Sequence, residues 1–403
     1  MEISMGNARI KKFFAAFAVC FSVWYGVFLS GEAAAVDESV WTWDVLVLPP
    51  GEGWENKAGE SIRNVLLWHQ SEVSESGDGI LGHDLNFIFL PPVNEDSIKN
   101  YTLPMTPRSI ALLSFASHPV DRELTRLLAG KGIPLMLAGG ENVFLFERGR
   151  LLPFVFALDL FRDYRARAFV DYALKRTELK ARLGIIGTRF TLHEEREAKI
   201  CFDLFLGAGF MPMPYWADAS VTDTFAMVEQ EIKDYSDGIL VSYVGGMASK
   251  EIWRGIMGHQ SPYRLWYGGA PDKTFLSFKG MLFADQNMPL DVRGGFDQLK
   301  RDLWTSRTLN APDKVSAGRA NALAFWLTSA LRALPENSSK ANANLLFSRL
   351  ENVREIPFGS QVLAVDEKTH RPKRRQVYIL EVRDRNFLVT DVLDVEGLGY
   401  YDY

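Results

Sequence analysis

The sequence predicts an α/β fold of two doubly wound, three-layer lobes with parallel sheets. Two observations predict it. Short continuous apolar runs alternate with amphipathic helical stretches, and strands that are apolar from end to end belong to parallel sheets covered on both faces. That alternation runs once from about residue 44 to 157 and then restarts. The length agrees, because 403 residues exceed what one ordinary domain holds.

Asp44 to Leu48 is an apolar run that ends in Pro49-Pro50-Gly51, a strand followed by a loop. Ile62, Val65, Leu66, His69 and Val73 then share one face of a helix. Strands follow at Asp84–Leu90, Ser109–Ser114, Ile133–Leu137 and Pro153–Ala157, with a helix marked by Val120, Leu124, Leu127 and Leu128. The second run opens with a helix through Ala166, Phe169, Val170, Ala173 and Leu174 and a strand at Arg182–Gly187. A helix through Ala198, Cys201, Phe202 and Phe205 comes next, then a short strand near Phe210–Tyr215. Phe225, Val228 and Ile232 mark a helix, as do Ile252 and Ile256, with strands at Gly238–Tyr243 and Arg264–Tyr267. The last third reads as helices over Asp291–Thr305, Val315–Leu334 and around Leu346–Val353, then β segments at Gln376–Val382 and Phe387–Leu393. A block of that kind is too small for a third domain, so it is expected to return and complete the first two.

Composition narrows the function. The formal charge is −5, which disfavours a protein that neutralises phosphates, so no nucleic-acid partner is expected. Two cysteines and six scattered histidines supply neither a disulfide scaffold nor a Cys/His metal centre, and no metal or cofactor is expected. Residues 1–35 read as an export signal: Arg9, Lys11 and Lys12, an apolar run from Phe13 to Leu29, then Ala33-Ala34-Ala35. Retention of the segment as an anchor is the other reading. Cys201 lies on an apolar helix face and reads as core rather than nucleophile.

Ligands of open parallel sheets bind outside the carboxyl ends of the strands. This selects loops carrying Trp54, Ser117, His118, Gly139, Glu141, Tyr243, Gly246 and Gly269. Each has two readings. Trp54 either stacks on a ligand or covers the sheet edge. Ser117 and His118 either donate to an anion or cap the helix at Val120. Gly139-Gly140 allows close backbone approach or is a plain turn. Glu141 holds a ligand amine or is a solvated turn carboxylate, and Tyr243 with Gly245-Gly246 is equally open. His193-Glu-Glu-Arg-Glu197 lacks the second histidine of a zinc-protease helix and reads as a charged helix start. Arg371-Pro-Lys-Arg-Arg375 reads as a solvated loop. Neither a phosphate-binding glycine loop nor a G-x-S-x-G elbow is present.

The order and spacing of four stretches resemble the substrate-binding proteins of ABC transporters of the branched-chain amino acid (leucine-binding) type. They are Val45–His69 with Gly79-Ile-Leu-Gly82; Ser109–Leu137; Arg182–Tyr267, with Gly187, Gly207-Ala-Gly209-Phe210 and Asp237-Gly238; and Pro357-Phe-Gly359 through Val365-Asp366 and Thr369-His370-Arg371 to Val377. The resemblance implies the type I periplasmic-binding fold, with crossovers placed near Leu158, Asn287 and Ile356. The lobes are then 36–158 plus 288–355 and 159–287 plus 356–403. It further implies a monomer outside the cytoplasm, periplasmic or extracellular. Such a protein closes on a small polar ligand, an amino acid or a related compound, and hands it to a membrane ABC permease without catalysis. The pocket departs from the pattern. Gly139, Gly140 and Glu141 stand where a carboxylate-binding Thr or Ser is expected. Gly269 and Ala270 stand near the expected acidic partner of a ligand ammonium, with Asp272 as a weak substitute. A sensing or envelope-assembly module with the same fold is the alternative. A secreted enzyme would have to rest on Ser117, His118 and Glu141.

Overall fold

The computed structural model describes residues 42–141, 146–147, 150–176, 182–188, 192–217, 238–245, 254, 264–287, 312–336, 343–358 and 361–396. The segment 1–35, expected to direct export, and the helices expected over 225–232, 252–256 and 291–305 lie outside the described residues, apart from Arg254.

The first sheet contains β1 (Thr42–Leu48), β2 (Asp84–Phe89), β3 (Ser109–Ser114) and β4 (Leu135–Leu137). After a small hairpin, β5 (Phe146–Glu147) and β6 (Arg150–Leu151), it ends with β7 (Val155–Ala157). The strand order is β2-β1-β3-β4-β7, and every pairing is parallel. Helix α1 (Lys57–Glu75) follows β1 and is capped by Asn56, whose side chain accepts from Gly59 N at 2.8 Å. The short α2 (Glu95–Ile98) and α3 (His118–Leu128) follow β2 and β3.

The second sheet begins after α4 (Tyr164–Arg176). It contains β8 (Arg182–Thr188), β9 (Pro212–Ala217), β10 (Gly238–Ser242), β11 (Arg264–Tyr267) and β12 (Leu282–Asp285), all parallel, with α5 (Leu192–Gly207) between β8 and β9. Along β10, Ile239 and Val241 enter one apolar cluster while Leu240 enters another. Successive side chains on a strand point to opposite faces, so this sheet is buried on both sides.

The chain then returns to the first lobe as α6 (Lys314–Arg332) and α7 (Ala343–Glu351). Helix α6 packs on α1 through a bond from Asp313 N to Ser61 Oγ at 2.8 Å and a contact of His69 Nε2 with Asn321 Oδ1 at 2.9 Å. Two small hairpins follow: β13 (Ile356–Phe358) with β14 (Gln361–Leu363), and β15 (Val365–Asp366) with β16 (Arg371–Pro372). Ile356, Leu363 and Val365 share the apolar cluster of the first sheet.

Finally β17 (Arg374–Arg383) and β18 (Asn386–Glu396) close the second sheet as an antiparallel hairpin against β12, in the order β18-β17-β12-β11-β10-β8-β9. The expected fold is therefore present, two lobes joined by three passages of chain, with an antiparallel edge added to the second sheet. The apolar stretch Leu282–Asp285 is a strand that the sequence reading passed over.

Candidate functional site

The three passages meet in one buried polar cluster. The first is Leu158–Leu160, the second Gln286-Asn287 and the third His370–Arg375. Arg375 joins all three. Its Nη1 donates to Leu158 O at 2.9 Å, to Asp159 Oδ1 at 2.6 Å and to Gln286 Oε1 at 3.2 Å, and its Nη2 donates to Asn287 Oδ1 at 3.1 Å. Leu160 N donates to Gln286 Oε1 at 2.9 Å. Arg319 on α6 donates from Nη2 to Asp159 Oδ2 at 3.0 Å and to Asn287 Oδ1 at 3.1 Å. Arg371 donates to Asp159 O at 2.6 Å and to Gly140 O at 2.7 Å.

The basic run at residues 371–375, read as a solvated loop, thus contributes two buried arginines to the junction. Their charges are tolerable there because carboxylate and carbonyl oxygens face them. Burial pulls the Arg371 guanidinium down to about 10, against the opposing charges of Asp159, Asp163 and Glu141.

Glu141 lies beside this cluster, at the end of the loop after β4. Its carboxylate accepts from Arg165 Nη1 at 3.3 Å, Arg165 Nη2 at 3.2 Å and Gln286 Nε2 at 3.4 Å. Burial alone would lower the Arg165 pKa. The charges of Glu141 and Asp285 oppose that effect, Glu141 most strongly, and the net shift is upward. Burial lifts Asp285 to about 6 although Arg165 pulls the other way. Burial also lifts Asp163 to about 7, opposed by Arg371. Gly140 has φ +93°, a backbone conformation that favours glycine and turns this loop back toward β7.

The other expected site residues separate. Trp54 is half-buried, donates from Nε1 to Leu90 O at 2.7 Å and sets its ring edge-on to Phe89. Ser117 is the exposed N-cap residue of α3 and forms no side-chain cap bond, and His118 begins the helix half-buried. Gly139 lies close to Asp159 and Arg319, within 3.5–3.9 Å of a side chain placed there. Tyr243 is buried in the second lobe's core, with its hydroxyl at the Cys201 thiol. Its ring lies against Gly268, where a β-carbon would strike it. Gly269 is buried against the Tyr267 ring, and Gly246 lies outside the described residues.

Asp272 caps a short 3₁₀ turn by accepting from Thr274 N at 2.6 Å. The charged start of α5 is occupied internally: Glu194 accepts from Gly245 N at 3.1 Å, Glu195 pairs with Lys199 at 2.7 Å, and Glu197 pairs with Arg162 at 2.9 Å. Among the described residues no group of three or more His, Cys, Asp or Glu is placed to hold a metal ion, and no helix is long and apolar enough to cross a membrane.

Sequence reasoning missed Asp159, Arg165, Gln286, Asn287, Arg319, Arg371 and Arg375. For Asp159, Gln286 and Asn287 the available signal was position, because they stand at the expected crossovers near Leu158 and Asn287.

No family model matches the chain, and no curated protein matches its sequence. Solved structures do match in fold. A branched-chain amino acid ABC-type transporter protein from Rhodopseudomonas palustris CGA009 is 12% identical with a TM-score of 0.65, the match covering 89% of this chain and 98% of that one. A leucine binding protein from Thermotoga maritima MSB8 is 11% identical with a TM-score of 0.58, covering 87% and 98%. A solute binding protein of an ABC transporter from Rhodopseudomonas palustris BisB5, in complex with 3,4-dihydroxybenzoic acid, is 14% identical with a TM-score of 0.57, covering 88% and 98%. The resemblance read from the sequence holds at the level of fold: the chain has the type I periplasmic-binding fold of these solute-binding proteins.

Proposed function

We propose that the protein is an exported solute-binding component that captures a small polar ligand between its lobes and presents it to a membrane ABC permease. The observation that carries this reading is the triple junction at Asp159, Gln286-Asn287 and Arg371–Arg375. Three parallel passages allow two rigid lobes to tilt about a common line, which is the geometry of hinge closure. A solute that touches both lobes binds the closed arrangement better and shifts the population toward it. The lobes are 36–158 plus 288–355 and 159–287 plus 356–403, except that the third crossover falls at the junction near Arg371–Arg375 rather than near Ile356, so the segment Ile356–His370 stays with the first. No covalent chemistry is required. The site of action is the periplasm or the cell exterior, reached through residues 1–35.

The ligand lies against the strand-end loops of Trp54, Ser117-His118, Gly139 and Gly269. Glu141 is already engaged by Arg165, and Asp272 is committed to its turn. A partner for an α-ammonium is therefore weak, and small carboxylic acids stand beside amino acids as the class to try first. The dihydroxybenzoate of one structural neighbour supports that breadth.

The test is a thermal-shift screen over amino acids, aromatic and aliphatic carboxylic acids, short peptides and polyamines. A true ligand at 100 times its dissociation constant stabilises by about 2.7 kcal/mol, a shift of several degrees. The absence of any stabilising compound across all of these classes would overturn solute capture.

A further inference from the structure

We propose that Glu141 and Arg165 form an interlobe latch, a contact that sets how readily the lobes part without touching the solute. The proposal rests on the reading of the cleft as a solute site and adds to it a regulation of its opening.

Glu141 follows β4 of the first sheet, while Arg165 lies in the first turn of α4, which packs on the second sheet. The bridge therefore spans two bodies. Both terminal nitrogens of Arg165 reach the Glu141 carboxylate, at 3.2–3.3 Å, and Gln286 adds a third donor from the end of β12. The Glu141 backbone carbonyl also accepts from Arg162 N at 3.1 Å. The loop and the start of α4 are thus joined by both main chain and side chain.

Neither partner is free to follow the other. The loop that carries Glu141 is held at Gly140 O by Arg371. The Arg165 guanidinium lies 4.8 Å from the Tyr164 ring centroid, and the Tyr164 hydroxyl accepts from Gln286 N at 3.2 Å.

Burial supplies the asymmetry. The Arg165 side chain is 2% exposed and that of Glu141 23%. If the lobes separate, Glu141 reaches water easily, while Arg165 stays in a nearly dry place without its forked partner, near Asp285, Tyr164 and the more distant Glu197. A buried charge stripped of its partner is strongly disfavoured. Wide opening therefore carries a penalty that closure does not. Because the contact sits beside the hinge, small tilts leave it intact and large ones break it.

The experiment is hydrogen–deuterium exchange by mass spectrometry on the full chain without added ligand, comparing wild type with E141A, E141Q and R165K. In E141A the amides of 115–118, 162 and 243–245 should exchange about 5- to 150-fold faster, the usual range for coupled sites. Those of β1 and α6 should keep their protection. E141Q should show the same pattern at smaller amplitude, because its amide keeps the shape and loses the charge. R165K should resemble E141A, since an ammonium cannot make the forked contact. Unchanged exchange in the strand-end loops of R165K and E141A overturns the latch. So does an acceleration that extends equally to β1 and α6, which would mean loss of overall stability alone. No ligand enters the measurement, so a latch that fails and a solute that is never found are read separately.

Discussion

Arg375 and Asp159 meet at 2.6 Å with their side chains 0% and 4% exposed. They come from the third and first passages between the lobes, so a single ion pair ties together two crossings that are 216 residues apart in the chain. Arg319, bonded to the other oxygen of the same carboxylate, brings in the helix of the first lobe. Asp159 is thus the common acceptor for two arginines at the place where the molecule has to bend.

Removing that acceptor should be severe. Asp159→Ala leaves Arg375 without its carboxylate in a site that water does not reach. Breaking one side of a buried pair typically costs about 3–5 kcal/mol. Urea unfolding of the variant should show a loss of that size, and a loss below about 1 kcal/mol would mean that the cluster is effectively solvated.

Asp121 sets a pH dependence. It is buried at the start of α3, where Ser114 Oγ donates to its Oδ1 at 2.5 Å, and burial lifts its pKa from 3.8 to about 8, with Asp159 adding to the rise. Between pH 4 and 8 the folded state holds a proton that the unfolded chain has released. Its contribution to stability is therefore complete below pH 4 and declines as the pH climbs to about 8. At about 1.4 kcal/mol per pKa unit, the decline is of the order of several kcal/mol. Asp121→Asn should flatten this part of the profile, and the gap between variant and wild type should change steadily from pH 4 to 8. Parallel profiles would show that Asp121 titrates normally.

Gly187 marks a close approach inside the second lobe. A β-carbon there would lie 2.6 Å from the Trp216 ring and 2.7 Å from the Ala198 methyl. Gly187→Ala should cost about 1–3 kcal/mol through overpacking. Thermal unfolding checks this, and an unchanged midpoint would mean that Trp216 moves aside freely.

The Cys201 thiol is buried, and burial pushes its pKa up to about 12, although the Tyr243 hydroxyl beside it acts in the other direction. In a Cys20→Ser background, Cys201 should react with a thiol reagent at neutral pH only as fast as the protein unfolds. Rapid labelling of the native protein would show that α5 opens locally.

The strands were legible because burial on both faces leaves little room for polar residues, and Val45–Leu48, Ala111–Leu113 and Ile239–Val241 are apolar throughout. Cys201 was legible for the same reason, through its helical neighbours Ala198 and Phe205. Leu282–Asp285 was not, because four residues carry no period of their own. The junction was the least legible. Arg371 and Arg375 stand among other basic residues and read as a solvated run, since the oxygens that receive them at Gly140, Leu158 and Asp159 are more than 200 residues away. Glu141 was singled out for its position at a strand end, but nothing local announces that Arg165 will neutralise it. Local pattern encodes which face of an element is dry, whereas long-range charge pairing is encoded only by the finished fold.

The β17–β18 hairpin supplies the last two strands of the second sheet, and Arg375 sits at its start. Neither half of the molecule can therefore reach its final form until the chain has been made through this hairpin. Until then the second sheet presents β12 as a bare edge, and the junction lacks the arginine that draws its passages together. Such a late, non-local closing step slows folding and prolongs the interval in which the nascent chain depends on other factors to keep it from self-association.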